Sequence, residues 1–231
     1  MRFLDKLKDA ATKAVSQATE GAERLAKHVA AHGPGFIGES AAELLAEREY
    51  HRARELTAAG LTPQNAAGVV ELLAPYANVD GTRIILINRL LGDACLLSGR
   101  EPEAERHFRR ALELWRDAAY RQDAEPLLIE EMGPIGDDYE AQILVALATI
   151  LLHREDWDGC IRYSLQALQC DHRQQMAVYL QGVAMLRKGL PRDMVAEVFA
   201  KALSAGDQRQ ILAWVAELLP EHMDWFRRMV G

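Results

Sequence analysis

Residues 88–111 read NRLLGDACLLSGREPEAERHFRRA. Asn88, Leu91-Gly92 and Cys95 fall at steps of three or four, the spacing of neighbours on one helical face. Gly99, Ala104, Phe108 and Ala111 follow. Small residues such as Gly92 and Ala111 suit points where two helices cross closely, and large ones such as Phe108 fill the space between.

The same order returns twice. Leu144, Leu147-Ala148, Leu151, Trp157, Cys160 and Ala167 repeat it. So do Val178, Gln181-Gly182, Met185, Gly189, Val195, Phe199 and Ala202, with one residue inserted near Pro191. Gly92 and Ala111 stand 19 residues apart, as do Ala148 and Ala167. Ala148 and Gly182 stand 34 apart, whereas Gly92 and Ala148 stand 56 apart, so about 22 extra residues separate the first two copies. We place them between Arg116 and Glu140 and expect the second helix of the first copy to run on past Trp115 into a loop. The stretch Gly133-Pro134-Ile135-Gly136-Asp137-Asp138 is the turn-rich part of that insert.

This pattern resembles the tetratricopeptide repeat, a helix-turn-helix unit of 34 residues. The resemblance covers about 120 residues, roughly 82–203. It departs from the family where the helix-closing Pro is replaced by Arg116 and His172, and the first Trp by Asn88, Leu144 and Val178. It implies an all-α fold, a right-handed stack of antiparallel helical hairpins forming a tetratricopeptide-like solenoid. Repeats are expected at about 82–116, 141–174 and 175–206, within a domain spanning 36–231.

Working outward, Thr62-Pro63 has the N-cap and first-turn proline of a helix that Pro75 ends. Ser40-Ala-Ala-Glu43 has the spacing of a capping box, so a helix is expected from Ser40 to about Ala58, and 40–77 could form a degenerate extra hairpin. His32-Gly33-Pro34-Gly35 predicts a turn. Before it, Leu4, Leu7, Ala11, Val15, Ala18, Ala22, Ala26 and Val29 mark one face of a separate N-terminal amphipathic helix over 1–32. Beyond Asp207, Ile211, Trp214, Leu218 and, after Pro220, Trp225 and Phe226 suggest C-terminal capping helices over 207–231.

Composition narrows the function. A formal net charge of −7 argues against a nucleic-acid binder, which gathers Lys and Arg. No run approaches the ~18 apolar residues of a membrane span, and the N-terminus lacks the apolar core of a secretory signal, so a cytoplasmic location is the expectation. Cys95, Cys160 and Cys170 lack CxxC spacing and read as small buried hydrophobes.

Catalytic and cofactor patterns are weak. Gly33-Pro-Gly-Phe-Ile-Gly38 has phosphate-loop glycines but puts Glu39 where that motif needs Lys, so it reads as a hinge. His28 and His32 are i, i+4 but lack a third ligand. Glu130-Glu131 and Asp137-Asp138 read as exposed pairs rather than tuned acids. No enzyme activity, metal or cofactor is expected, and a site at the insert loop is the weakest alternative.

The family resemblance implies instead a concave groove lined by first helices. Carried over, it is lined by Leu86, Arg89, Asp93 and Leu96 in the first copy and by Gln142, Val145, Thr149 and Leu152 in the second. The third contributes Met176, Tyr179, Val183 and Leu186. Such a mostly apolar groove would hold an apolar peptide or amphipathic helix of a partner protein, or be filled by the chain's own insert or N-terminal helix. The chain is therefore expected to be a non-enzymatic scaffold or adaptor. The alternative is a peripheral membrane protein anchored through residues 1–31, whose first 15 residues carry formal +2. The Ala-rich face buries little area, which favours docking or self-association over a membrane surface.

Overall fold

The computed structural model of the 231-residue chain describes residues 35–132, 138–205, 213, 215–216 and 219–230. The expected helix over 1–32, with His28 and His32, lies outside them, as do Gly133–Asp137 of the insert and much of 206–218. Among the described residues there is no strand. The first half holds α1 (Gly35–Leu56), α2 (Pro63–Leu73), α3 (Ile84–Leu97), α4 (Glu101–Arg116) and α5 (Ala118–Met132). The second holds α6 (Asp138–His153), α7 (Trp157–Cys170), α8 (Gln175–Arg187), α9 (Arg192–Ala205) and α10 (Met223–Val230). Short 3-10 turns lie at Ala74–Tyr76 and Pro220–His222.

Backbone contacts divide the chain into two compact units, Met1–Glu131 and Met132–Gly231. In the first, α1 packs on α2, α2 on α3 and α3 on α4. In the second, α6 packs on α7, α7 on α8 and α8 on α9, and α8 also lies against α6.

The repeated residues account for three of these pairings. A Cβ on Gly92 would come within 2.7 Å of the Phe108 ring, and one on Gly182 within 2.7 Å of the Phe199 ring. Each ring therefore lies flush against backbone of the preceding helix, and only glycine leaves it room. In the middle hairpin Ala148 and Ser164 hold the corresponding columns, both fully buried. Seven residues beyond Gly92, Ala148 and Gly182 the chain enters the left-handed region, at Gly99 (φ +70°), Glu155 (φ +60°) and Gly189 (φ +81°). The next amide then bonds back to a carbonyl five residues earlier: Arg100 N to Cys95 O at 2.8 Å, Asp156 N to Leu151 O at 2.9 Å and Leu190 N to Met185 O at 3.0 Å. These are three copies of one helix-closing turn, which satisfies carbonyls the helix end leaves free.

Two expectations are corrected. Ser40 is not a helix start, because α1 already runs from Gly35. A glycine such as Gly38 costs about 1 kcal/mol inside a helix, too little to force a break once propagation is under way. Nor does α4 run on through the insert. It stops at Asp117, whose backbone is extended (φ −73°, ψ 108°) and whose Oδ1 accepts from Ala119 N at 3.0 Å and Tyr120 N at 3.2 Å. That carboxylate caps a separate helix, α5. Tyr120 ties α5 to the corner before α3: its hydroxyl accepts from Ile85 N at 3.2 Å and donates to Thr82 O at 2.9 Å. Arg121 lies over the Trp115 ring, 5.6 Å from its centre.

Elsewhere the reading agrees. Thr62 and Asn65 form a capping box with Pro63 in the first turn of α2. Pro220 opens the 3-10 turn that leads into α10, the one described helix of the expected C-terminal cap, and Val215, Leu219 and Phe226 join the buried cluster of the second unit. There Phe226 meets Phe199 edge to face, with ring centres 5.1 Å apart. Cys95 and Cys160 are buried and Cys170 half-buried, all as free thiols.

Candidate functional site

The twelve groove positions divide between the units, those on α3 in the first and those on α6 and α8 in the second. On α3, Leu86 is only 4% exposed and belongs to the core. Arg89 and Asp93 are half-buried one turn apart, with Arg89 Nε donating to Asp93 Oδ2 at 3.1 Å. Burial pushes the Asp93 carboxyl up and Arg89 draws it back, while the Arg89 guanidinium lies 5.9 Å from the centre of the Phe108 ring. The two charges thus answer each other, beside a half-buried Leu96.

In the second unit, Tyr179 and Val183 are 1% and 2% exposed and Leu152 is 7% exposed, so these three are core residues rather than groove lining. A helical face is legible from spacing, but how far the neighbouring helix covers it is not. Gln142, Val145, Thr149, Met176 and Leu186 remain half-buried. Val145, Met176 and Leu186 rest on the core cluster from its edge. Thr149 Oγ1 donates to Val145 O at 2.9 Å, so its hydroxyl is already satisfied. What remains is an apolar strip on two adjoining helices, α6 and α8.

The structure also assembles sites that the sequence reading missed. In the first unit a cleft of about 550 Å³ opens between the end of α2, α3 and α4, lined by Ala77, Asn78, Asn88, Glu103, Arg106, His107 and Arg110 among others. Two buried polar side chains meet at this cleft. Asn88 Nδ2 donates to Ala77 O at 2.8 Å and to Ile84 O at 3.0 Å. Both amide hydrogens are thereby used, which turns Oδ1 toward His107 Nδ1 at 2.9 Å. His107 must donate from Nδ1, leaving Nε2 as an acceptor. Burial, and then the neighbouring Arg106, hold the His107 pKa below its ordinary value. One signal was available: Asn88 stands in the column that Leu144 and Val178 fill, and a polar side chain in a buried column needs a partner.

No protein-family model matches this chain, and no curated protein matches it. The geometry alone therefore carries the functional reading. Burial pushes the Cys160 thiol up to about 11, so it stays protonated and unreactive near neutrality. Among the described residues no three His, Cys, Asp or Glu side chains gather as a metal-holding group, and no helix is long and apolar enough to cross a membrane. Of the acidic pair in the insert, Glu130 is exposed as expected, but Glu131 is half-buried with its carboxylate 3.8 Å from Arg83 Nη2. Asp138 is exposed at the start of α6, and Asp137 lies outside the described residues.

A smaller cleft of about 270 Å³ in the second unit is floored by Leu165, Leu168, Val178 and Val198, with His172 and Arg173 also lining it.

Proposed function

We propose that this chain is a partner-holding helical-hairpin protein of tetratricopeptide type, a scaffold rather than an enzyme. Its second unit holds an apolar or amphipathic segment of another protein against α6 and α8. One observation carries this reading: α8 packs on both α6 and α7, and the adjoining first helices keep Val145, Met176 and Leu186 half-exposed beside a closed core. Removing such area from water is worth about 25 cal/mol per Å², so a few side chains of this kind support a specific contact. The three copies of the helix-closing turn and the two glycine–phenylalanine crossings support the family resemblance.

The test replaces side chains on the strip and spares the core. Partners are captured from the native cell with the full chain, identified, and the captured segment is synthesised and titrated. Val145→Asp with Met176→Asp is expected to weaken that segment's binding at least about tenfold while helicity at the assay temperature is retained, with melting lowered because both side chains rest on the core. Tyr179→Asp is unsuitable, because a carboxylate at a position 1% exposed would unfold the unit. Undiminished binding of the segment by the double variant would remove the strip from the proposal.

A further inference from the structure

The cleft of the first unit has a chemistry of its own. His107 is 6% exposed, yet its Nδ1 hydrogen is committed to Asn88 Oδ1, and Asn88 is anchored on two backbone carbonyls. The imidazole can neither rotate nor exchange tautomers without breaking that chain of bonds. It therefore presents a fixed lone pair at Nε2, and any group seated on it must be a hydrogen-bond donor.

The charges at the mouth select the rest of the ligand. Glu105 pairs with Arg109, Glu113 with Arg110, and Glu103 with Arg100. Arg100 lies outside the lining, which holds three Glu and three Arg; of those three Arg, Arg106 is the one that makes no ion pair among the described residues, with Glu103 acting on it only at longer range. The carboxylates of Glu103, Glu105 and Glu113 disfavour a dense, doubly charged anion such as phosphate. A single carboxylate is what the unpaired Arg106 guanidinium suits, and Arg binds it with a planar, paired geometry. A cleft of about 550 Å³ has the capacity for a few residues of extended chain.

We propose that this cleft is a second binding site, which takes an acidic peptide segment of a partner protein: a single Asp or Glu carboxylate on Arg106, with a neighbouring backbone N–H donating to His107 Nε2. A peptide supplies both groups at short separation, since every residue but proline carries an N–H. A basic segment would meet Arg106 with like charge, and an uncharged one would leave the guanidinium unanswered.

Titration of the full-length protein into fluorescein-labelled hexapeptide pools, read by anisotropy, tests this. One pool carries a single Asp or Glu with both ends blocked, a matched pool carries Asn or Gln there, and a third carries phosphoserine. The acidic pool is expected to bind about tenfold more tightly than the amide pool, and more tightly than the phosphoserine pool. Arg106 is exposed, so Arg106→Glu leaves the fold intact and is expected to abolish the preference. Replacing the pair with apolar groups, Asn88→Leu with His107→Phe, is expected to weaken every acidic peptide; if that variant does not fold, Arg106→Glu decides. Val145→Asp with Met176→Asp is expected to leave this binding unchanged, so the two sites fail independently. The proposal is overturned if no pool binds, if acidic and amide pools bind alike, if phosphoserine binds best, or if Arg106→Glu keeps the preference.

Discussion

Glu155 closes α6 in a conformation that Gly99 and Gly189 adopt at the ends of α3 and α8. Its φ of +60° brings Cβ toward the following carbonyl, a strain of about 1–2 kcal/mol that glycine escapes. Part of that gain is offset because glycine also loosens the unfolded chain. Glu155→Gly is therefore expected to stabilise the protein by about 0.5–1 kcal/mol and raise the urea midpoint; an unchanged or lower midpoint would mean the turn is not strained. At this scale the sequence was legible where space was the constraint. Gly92 and Gly182 stand out because a phenylalanine ring leaves no room for a side chain. Glu155 does not, since nothing in its local sequence marks a left-handed glutamate. The Asn88–His107 bond was hidden for another reason: 19 positions separate its partners, and only the packing of α3 on α4 joins them.

Helix existence was readable from periodicity, but helix ends were decided by competing local bonds. Ser40 and Glu43 have the right chemistry for a cap, yet a cap acts only where the chain in front leaves the helix, and residues 35–39 do not. Asp117 was an equally visible capping residue, and there the chain does leave, so the extra residues form α5 rather than an extension of α4. The Tyr120 hydroxyl joins that helix to the α3 corner, and burial pushes its pKa to about 12, so it remains a donor at any physiological pH. Tyr120→Phe removes the acceptor for Ile85 N–H and the donor to Thr82 O together. It is expected to destabilise the chain by about 1–3 kcal/mol and to speed amide exchange at Ile85; unaltered exchange there would show that the corner does not depend on this bond.

For the whole molecule, the first unit's buried polar groups set a pH dependence. Burial and Arg106 depress the His107 pKa below its ordinary 6.5, so the unfolded chain takes up the proton more readily. The stability from this group is complete above about pH 6.5 and is lost as pH falls toward the folded pKa, by roughly 1.4 kcal/mol per unit of depression. Asp93 has the opposite sign in a lower window: its raised pKa makes the folded state the better proton acceptor, so acid returns stability there. Urea midpoints measured between pH 7.5 and 5.5 are expected to fall for the native protein and to fall less for the Asn88→Leu, His107→Phe variant; parallel curves would exclude His107 as the cause. The sequence by itself determined the helical class, the three hairpins and their close crossings, because these follow from side-chain period and size within a few turns of chain. Tertiary structure alone decided which apolar residues close the core and which stay open, placing Tyr179 and Val183 inside and Met176 at the edge. It also decided that Asn88 faces His107, because coverage and tautomer depend on atoms that distant segments bring to the same place.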